Sequence, residues 1–308
     1  MPEITNRKSH VANRVWKGDT GGGTLGQRAL IFFFRWWNLR LAYTIMAMVI
    51  PFYMLFARKG YLAIYHYFRR NFRYSAWRSF LKTYQNHFLF GQVMLDRFAV
   101  FAGRKNLFEV EIIGNEHYEC LSYSKKGFIM AGSHVGNFEI GGYLLNSTKK
   151  KINALIYADE TKTVQNNRSK ILNNNNINLI PVLNDMSHLF TVNAALQNGE
   201  IVSMPCDRNH GSTKSIECGF LCGKADFPVG AFALAASFDV EILAIFVIKI
   251  STKKYKVFVV PIGRGEPMCS PSTKKEKIEN LVFSYVKELE NIVKQYPLQW
   301  FNFYEFWK

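Results

Sequence analysis

The chain has 308 residues, enough for one large domain or two modest ones, and its hydrophobic and charged fractions of 48% and 20% are those of a globular protein. Its formal net charge of +16 points to a polyanionic partner, whether nucleic acid, anionic lipid headgroups or an acidic protein, and charge alone does not choose among them. The 15% aromatic content suits a core, a membrane interface or both, and the five unevenly spaced cysteines are unlike a secreted disulfide framework and imply a reducing compartment. Cys218 and Cys222 lack the second Cys/His pair that a tetrahedral zinc site needs, so no metal is expected.

Residues 1–74 read as a basic and aromatic N-terminal region. From Leu41 to Ala57 the chain carries no charge, bracketed by Arg40 and Arg58. A bilayer core asks for roughly 17–25 apolar residues in a helix, so this stretch is at the short limit, and Pro51 is expected to kink it. It begins too late for a signal peptide. Trp36, Trp37, Tyr43, Tyr53, Tyr61 and Tyr65 are mixed with basic residues, as at a headgroup layer. Both a spanning helix and an interfacial one fit, since basic residues lie on either side; a helix of a soluble core is the alternative.

Residues 75–308 read as a second unit that opens with a long helix, in which Trp77, Phe80, Tyr84, Phe88, Met94, Phe98 and Phe101 recur at near-helical spacing. Short apolar runs then alternate with helical patterns. The runs are 110–113, 127–131, 152–157, 177–182, 201–206, 241–250 and 255–261, and the helices are expected over 137–146, 161–173, 186–198 and 229–238. That order predicts an α/β fold with a mostly parallel central sheet flanked by helices. The clearest helix is the last, from Lys274 to Tyr296, with one apolar stripe between Pro271 and Pro297.

The segment GSHVGNFE, residues 132–139, falls where the apolar run GFIMA ends. Asn137 is a favoured N-cap type, and a tight turn through Gly136 would place Glu139 in the first turn of the next helix, within reach of His134. A carboxylate there is stabilised as the anion and can fix one imidazole nitrogen, leaving the other as a general base. The carboxyl end of a strand in an open α/β sheet is where such folds bind ligands. The same residues also fit a loop histidine beside an ordinary capping carboxylate.

The stretch AGSHVGNFEIGGYLL resembles the His-x4-Asp/Glu signature of the lysophospholipid acyltransferase superfamily, in the form of the branch that contains the bacterial late acyltransferases of lipid A synthesis. GEIVSMPCDRNHG, then GKADFPVGAFALAASFDVEILAIFVIK, resembles the second block of that branch and the helix and strand after it, and PLQWFNFYEFW resembles its closing block. An apolar N-terminal anchor is a further habit of the branch. The resemblance makes 75–308 an acyltransferase domain and implies transfer of a fatty acyl group from a thioester, acyl carrier protein or CoA, to a hydroxyl of a lipid acceptor. By the same resemblance His134 is the general base and Glu139 orients it. Asn137 or backbone N–H groups would meet the oxyanion, and Asp207 and Arg208 match the second block as substrate-binding residues, with Arg208 expected on a phosphate or carboxylate of the acceptor.

Two departures stand out. The branch usually carries Tyr-Arg-Pro after the strand that follows the first motif, whereas this chain has IYADETK with Ala158 at the arginine's place; Arg168, one helix later, is the candidate substitute. In the closing block, basic residues give way to Asn302, Tyr304 and Glu305. Both losses argue for an acceptor other than a doubly phosphorylated disaccharide, such as an amino-acid lipid, a lysophospholipid or a polyene alcohol. The expected partners are a lipid acceptor, acyl carrier protein and an anionic membrane surface at the cytoplasmic face of the bacterial inner membrane, with no nucleic acid and no cofactor beyond the acyl thioester. The competing readings are a non-enzymatic basic membrane- or nucleic-acid-binding protein and a lipid hydrolase using the same pair to activate water.

Overall fold

The computed structural model of the protein describes residues 29, 31–34, 38–144, 149–157, 172, 175–182, 187–208, 214–263 and 273–308. The uncharged N-terminal stretch forms helix α1, Leu39–Phe56, capped by the Asn38 side chain, which accepts from the Arg40 N–H at 2.9 Å. It continues through Pro51 and ends at Phe56. Helix α2, Arg58–Asn71, follows almost at once, and Ser75 caps α3, Ala76–Phe101.

Beyond α3 the chain alternates as its apolar runs predict. Strand β1 is Glu109–Ile113, α4 is Asn115–Tyr123, β2 is Phe128–Gly132 and α5 is Phe138–Leu144. Then come β3, Ile152–Tyr157, β4, Ile177–Val182, α6, His188–Gln197, and β5, Ile201–Pro205. A hairpin of β6, Ser215–Phe220, and β7, Gly223–Pro228, precedes α7, Gly230–Phe238, β8, Ile242–Lys249, β9, Lys254–Ile262, and α8, Lys274–Gln295. The hairpin and α4 were not legible in the apolar runs. The helix expected over 161–173 lies almost wholly outside the described residues.

Seven strands form the central sheet in the order β1-β9-β8-β2-β5-β3-β4, every neighbouring pair parallel except β8 with β9. Neighbouring residues of the central strands enter opposite cores. Ile129, Val202 and Ile242 pack with α7 and α8, while Phe128, Ile201 and Leu243 pack with α1, α3 and α5. Strands covered on both faces need no polar alternation, which is why they read as continuous apolar runs. The strand order changes direction at β2: β3, β4 and β5 lie on one side, β8, β9 and β1 on the other. The carboxyl end of such a strand opens a crevice between diverging connections.

The C-terminal segment crosses back over that end. After α8 a short 3-10 turn, Pro297–Gln299, leads to Trp300, which is buried against Tyr67, Phe220, Phe306 and Trp307 with ring centroids 5.0–5.5 Å away. A buried indole among so many rings is expected to dominate the local packing. Trp300→Ala should lower the unfolding free energy by about 3–5 kcal/mol, read from urea denaturation.

Candidate active site

The turn between β2 and α5 has the conformation its sequence predicts. Gly136 adopts φ +69, and a Cβ there would collide with the Val247 carbonyl, so the residue is glycine both for its dihedral and for the close approach of β8. The Asn137 side-chain oxygen accepts from the Ile140 N–H at 3.2 Å, capping α5, and Glu139 sits in its first turn. Backbone bonds pin the turn on two sides. The Asn137 N–H donates to the Val247 carbonyl at 2.7 Å, the Gly136 N–H to Gln299 at 2.7 Å, and the Phe301 N–H to the His134 carbonyl at 3.1 Å.

The acid that holds the imidazole is not the one expected. His134 Nδ1 lies 2.8 Å from Asp207 Oδ1, and the His134 backbone N–H donates to Asp207 Oδ2 at 2.8 Å, so one carboxylate fixes both the ring and its main chain. The role given to Glu139 on Nδ1 is filled by Asp207. The physical reason lies in the sheet: β2 and β5 are parallel neighbours with Gly132 beside Pro205, and the Cys206 N–H continues the ladder to the Gly132 carbonyl at 3.0 Å. Two residues past the ends of adjacent strands therefore meet, although far apart in sequence. A local spacing argument sees only the partner five positions away.

Glu139 is held elsewhere. The Tyr143 hydroxyl donates to its Oε2 at 2.7 Å, and the Arg97 guanidinium of α3 lies 3.4 Å from both carboxylate oxygens. Arg97 and Tyr143 were not singled out in the sequence; an arginine inside the apolar stripe of α3 was the available signal. The Phe138 ring stands edge-on to the imidazole at 5.8 Å between centroids.

The His134 side chain is 23% exposed and that of Asp207 only 1%, so an incoming group can reach the imidazole but not the acid behind it. Burial raises the Asp207 carboxyl, but the charge and hydrogen bond of His134, with the charge of Arg208, outweigh burial and hold it below the ordinary carboxylate range. Cys206, beside it, is buried, and burial together with the Asp207 charge pushes its thiol well up, away from thiolate chemistry. With Nδ1 bound to an anionic acceptor, the imidazole carries its proton there, which makes Nε2 the basic nitrogen of the ring, the arrangement of a general base.

The other predicted residues have structural duties. Asn137 is buried, and its amide nitrogen donates to the Tyr255 hydroxyl at 3.2 Å while its oxygen caps α5. Arg208 donates from Nη2 to the Phe301 carbonyl at 2.6 Å and lies over the Tyr304 ring at 5.5 Å, bracing the C-terminal segment beside the site. Arg168 and Ala158 lie outside the described residues. Among the described residues no group of three or more His, Cys, Asp or Glu side chains is arranged to hold a metal ion.

The sequence model of the family described as bacterial lipid A biosynthesis acyltransferase matches residues 82–308, and the chain belongs to this family. The match begins within α3 and takes in the whole sheet, the His134 turn and the C-terminal segment. Among solved structures, the 1-acyl-sn-glycerophosphate (LPA) acyltransferase PlsC from Thermotoga maritima is similar at 14% identity and a TM-score of 0.36, with 85% of this chain and 97% of that chain covered. No curated protein sequence matches.

Asp207→Asn keeps the shape but replaces the anionic acceptor with an amide that can favour the wrong tautomer. Turnover should drop by about a hundredfold or more while circular dichroism stays that of the wild type. The depressed Asp207 carboxyl also contributes stability that is present above about pH 3.9 and disappears as the pH falls through its folded-state value. The urea midpoint of the wild type should therefore decline more steeply below about pH 4 than that of Asp207→Asn.

Proposed function

We propose that the protein transfers a fatty acyl group from an acyl thioester, carried on acyl carrier protein or CoA, to a hydroxyl of a lipid acceptor at the cytoplasmic face of a bacterial inner membrane. The observation that carries this reading is the His134–Asp207 pair at the carboxyl ends of β2 and β5, in a chain of the acyltransferase family. In this reading Nε2 of His134 removes the acceptor's hydroxyl proton as the oxygen attacks the thioester carbonyl. The tetrahedral intermediate then collapses to the ester, and the departing sulfur takes the proton from the imidazolium. Asp207 orients the ring. Glu139, locked by Arg97 and Tyr143, holds the first turn of α5 in place beside the His134 turn.

The membrane reading rests on α1. By length and composition it could cross a bilayer, but Tyr53 packs on His87, and Met46 and Ile50 line Gly91, so its inner side lies along α3. Its outer side exposes Ile45, Met48, Val49, Phe52, Leu55 and Phe56. The Tyr84 hydroxyl of α3 donates to the Ala47 carbonyl at 3.0 Å, and the two helices run antiparallel. The contacts of Tyr43 with Asp96, Ile50 with Gly91 and Tyr53 with His87 set a register that brings Phe56 beside Tyr84, so at ~1.5 Å rise per residue the exposed Leu81, Phe80 and Trp77 continue the apolar surface about 5–10 Å past the end of α1. Such a surface, with Arg58 and Lys59 just beyond, suits a helix pair lying in the headgroup layer rather than a free span.

The acceptor inferred here is not a doubly phosphorylated disaccharide. Glu305 in the closing block spends its charge on His66 at 2.9 Å and Arg70 at 3.7 Å, so the C-terminal segment neutralises basic residues of α2 instead of adding to them.

Lipid profiles of cells with and without the gene should differ by one acylated lipid, which wild type restores and His134→Ala does not. Purified His134→Ala and Glu139→Ala should each turn over at least about a hundredfold more slowly. Near-normal rates for His134→Ala, or free fatty acid as the product by mass spectrometry, would overturn acyl transfer. Replacing Phe52, Leu55 and Phe56 together with serine should weaken sedimentation with anionic vesicles by more than about tenfold, since each apolar side chain withdrawn from lipid costs about 1.5–3 kcal/mol.

A further inference from the structure

Beneath the His134 turn lies a charge pair that stability alone does not explain. Asp96 of α3 and Lys249 at the end of β8 are in direct contact, with side chains 0% and 2% exposed. Removing two charges from water is so costly that apolar residues of similar volume often serve the fold as well or better. Burial pushes the Asp96 carboxyl up and the Lys249 amine down, against the pull of each charge on the other. What the pair does have is position.

Asp96 accepts from three donors on three elements: the Tyr43 hydroxyl of α1, the Lys249 ammonium of β8 and the Tyr255 hydroxyl of β9. Lys249 also donates to the Tyr43 oxygen at 3.0 Å and to the Thr252 carbonyl at 3.1 Å. The Tyr255 oxygen in turn accepts from the Asn137 amide at 3.2 Å. The donors therefore run in a consistent direction, from Asn137 through Tyr255 and from Lys249 through Tyr43, both ending on Asp96. The next residue, Arg97, reaches Glu139. Consecutive residues of α3 thus reach α5 twice, Asp96 through Tyr255 to Asn137, which caps it, and Arg97 directly to Glu139 in its first turn.

We propose that Tyr43, Asp96, Lys249 and Tyr255 form a positioning network through which the seating of the apolar helix α1 sets the geometry of the His134–Asn137 turn. Its rate readout rests on the acyl-transfer reading above. The network links a helix whose outer side faces lipid in that reading to the residue that shapes the catalytic turn, so docking of α1 and order at His134 become one event. A second hydroxyl, that of Tyr84, joins the same two helices at the Ala47 carbonyl, away from the network. It separates positioning from mere attachment of α1.

The test compares wild type with Tyr43→Phe, Tyr255→Phe and Tyr84→Phe, each losing one hydroxyl. Two quantities are read: steady-state kcat and KM for the acyl thioester with acceptor in vesicles, and amide hydrogen exchange across residues 133–140. Tyr43→Phe and Tyr255→Phe should lower kcat about tenfold at unchanged KM and speed exchange in the turn, while Tyr84→Phe does neither. The Tyr43/Tyr255 double variant should be little worse than the more damaged single one, as members of one network. Wild-type exchange and kcat in Tyr43→Phe would overturn the proposal, as would an equal effect from Tyr84→Phe. If either network variant fails to fold, the other carries the same comparison. A wild type that transfers no acyl group would remove the functional reading, while the exchange comparison would still decide the network.

Discussion

The site depends on one contact between the ends of adjacent strands: a buried carboxylate holding both the ring and the backbone of His134. Two hydrogen bonds from one residue to one acid leave the imidazole little freedom of rotation or tilt. The acid can serve because it is charged, and it stays charged although buried because the groups around it outweigh the cost of desolvation. Burial of the acid and exposure of the imidazole are complementary: the ring is open to an incoming group, and no water reaches the carboxylate to compete for its hydrogen bonds.

A fixed imidazole is useful only on a fixed loop, and the loop has no regular structure of its own. Its rigidity is borrowed from two neighbours that also bind each other. β8 approaches so closely at Val247 that only glycine fits at position 136. The C-terminal segment adds bonds at Gln299 and Phe301 and is itself anchored by Trp300 in a cluster of rings. Gln299 exchanges bonds of 2.9 and 2.8 Å with the backbone of Lys249, so strand and segment hold each other as well as the turn. Part of the aromatic richness of the chain serves here, where Tyr67, Phe220, Trp300, Phe306 and Trp307 form a clamp over the carboxyl end of the sheet.

The sheet was legible because its strands are buried on both faces and appear as unbroken apolar runs; each of the seven runs coincides with an observed strand to within a residue or two. The turn was legible too, since glycine, a capping asparagine and a first-turn glutamate are local signals. The pairing of His134 with Asp207 was not, because it is set by strand order, and a sequence states strands without their neighbours. Asp207 was noticed as a residue of interest but placed against substrate. The β6–β7 hairpin escaped because its strands, SIECGF and GKADFP, interrupt apolar residues with charge and glycine. Asp96 and Lys249 had a visible signal, an ionisable residue inside an apolar pattern, which a reading for periodicity treats as noise.

Helix α3 concentrates these themes. Its start exposes Trp77, Phe80 and Leu81, its middle receives α1 at Gly91, and near its end an acid and a base in succession turn inward. Over ~29 Å, the rise from Trp77 to Asp96 at ~1.5 Å per residue, one rigid rod joins the apolar surface to the ionic groups around α5. A helix transmits displacement along its axis with little loss, because every turn is closed by its own hydrogen bonds. Apolar residues at one end and buried charges at the other place very different demands on a single element, and the second demand is costly. A chain that needed only a stable helix pair would have filled that end with leucine, so the charges mark where α3 stops serving the fold and begins to serve the site.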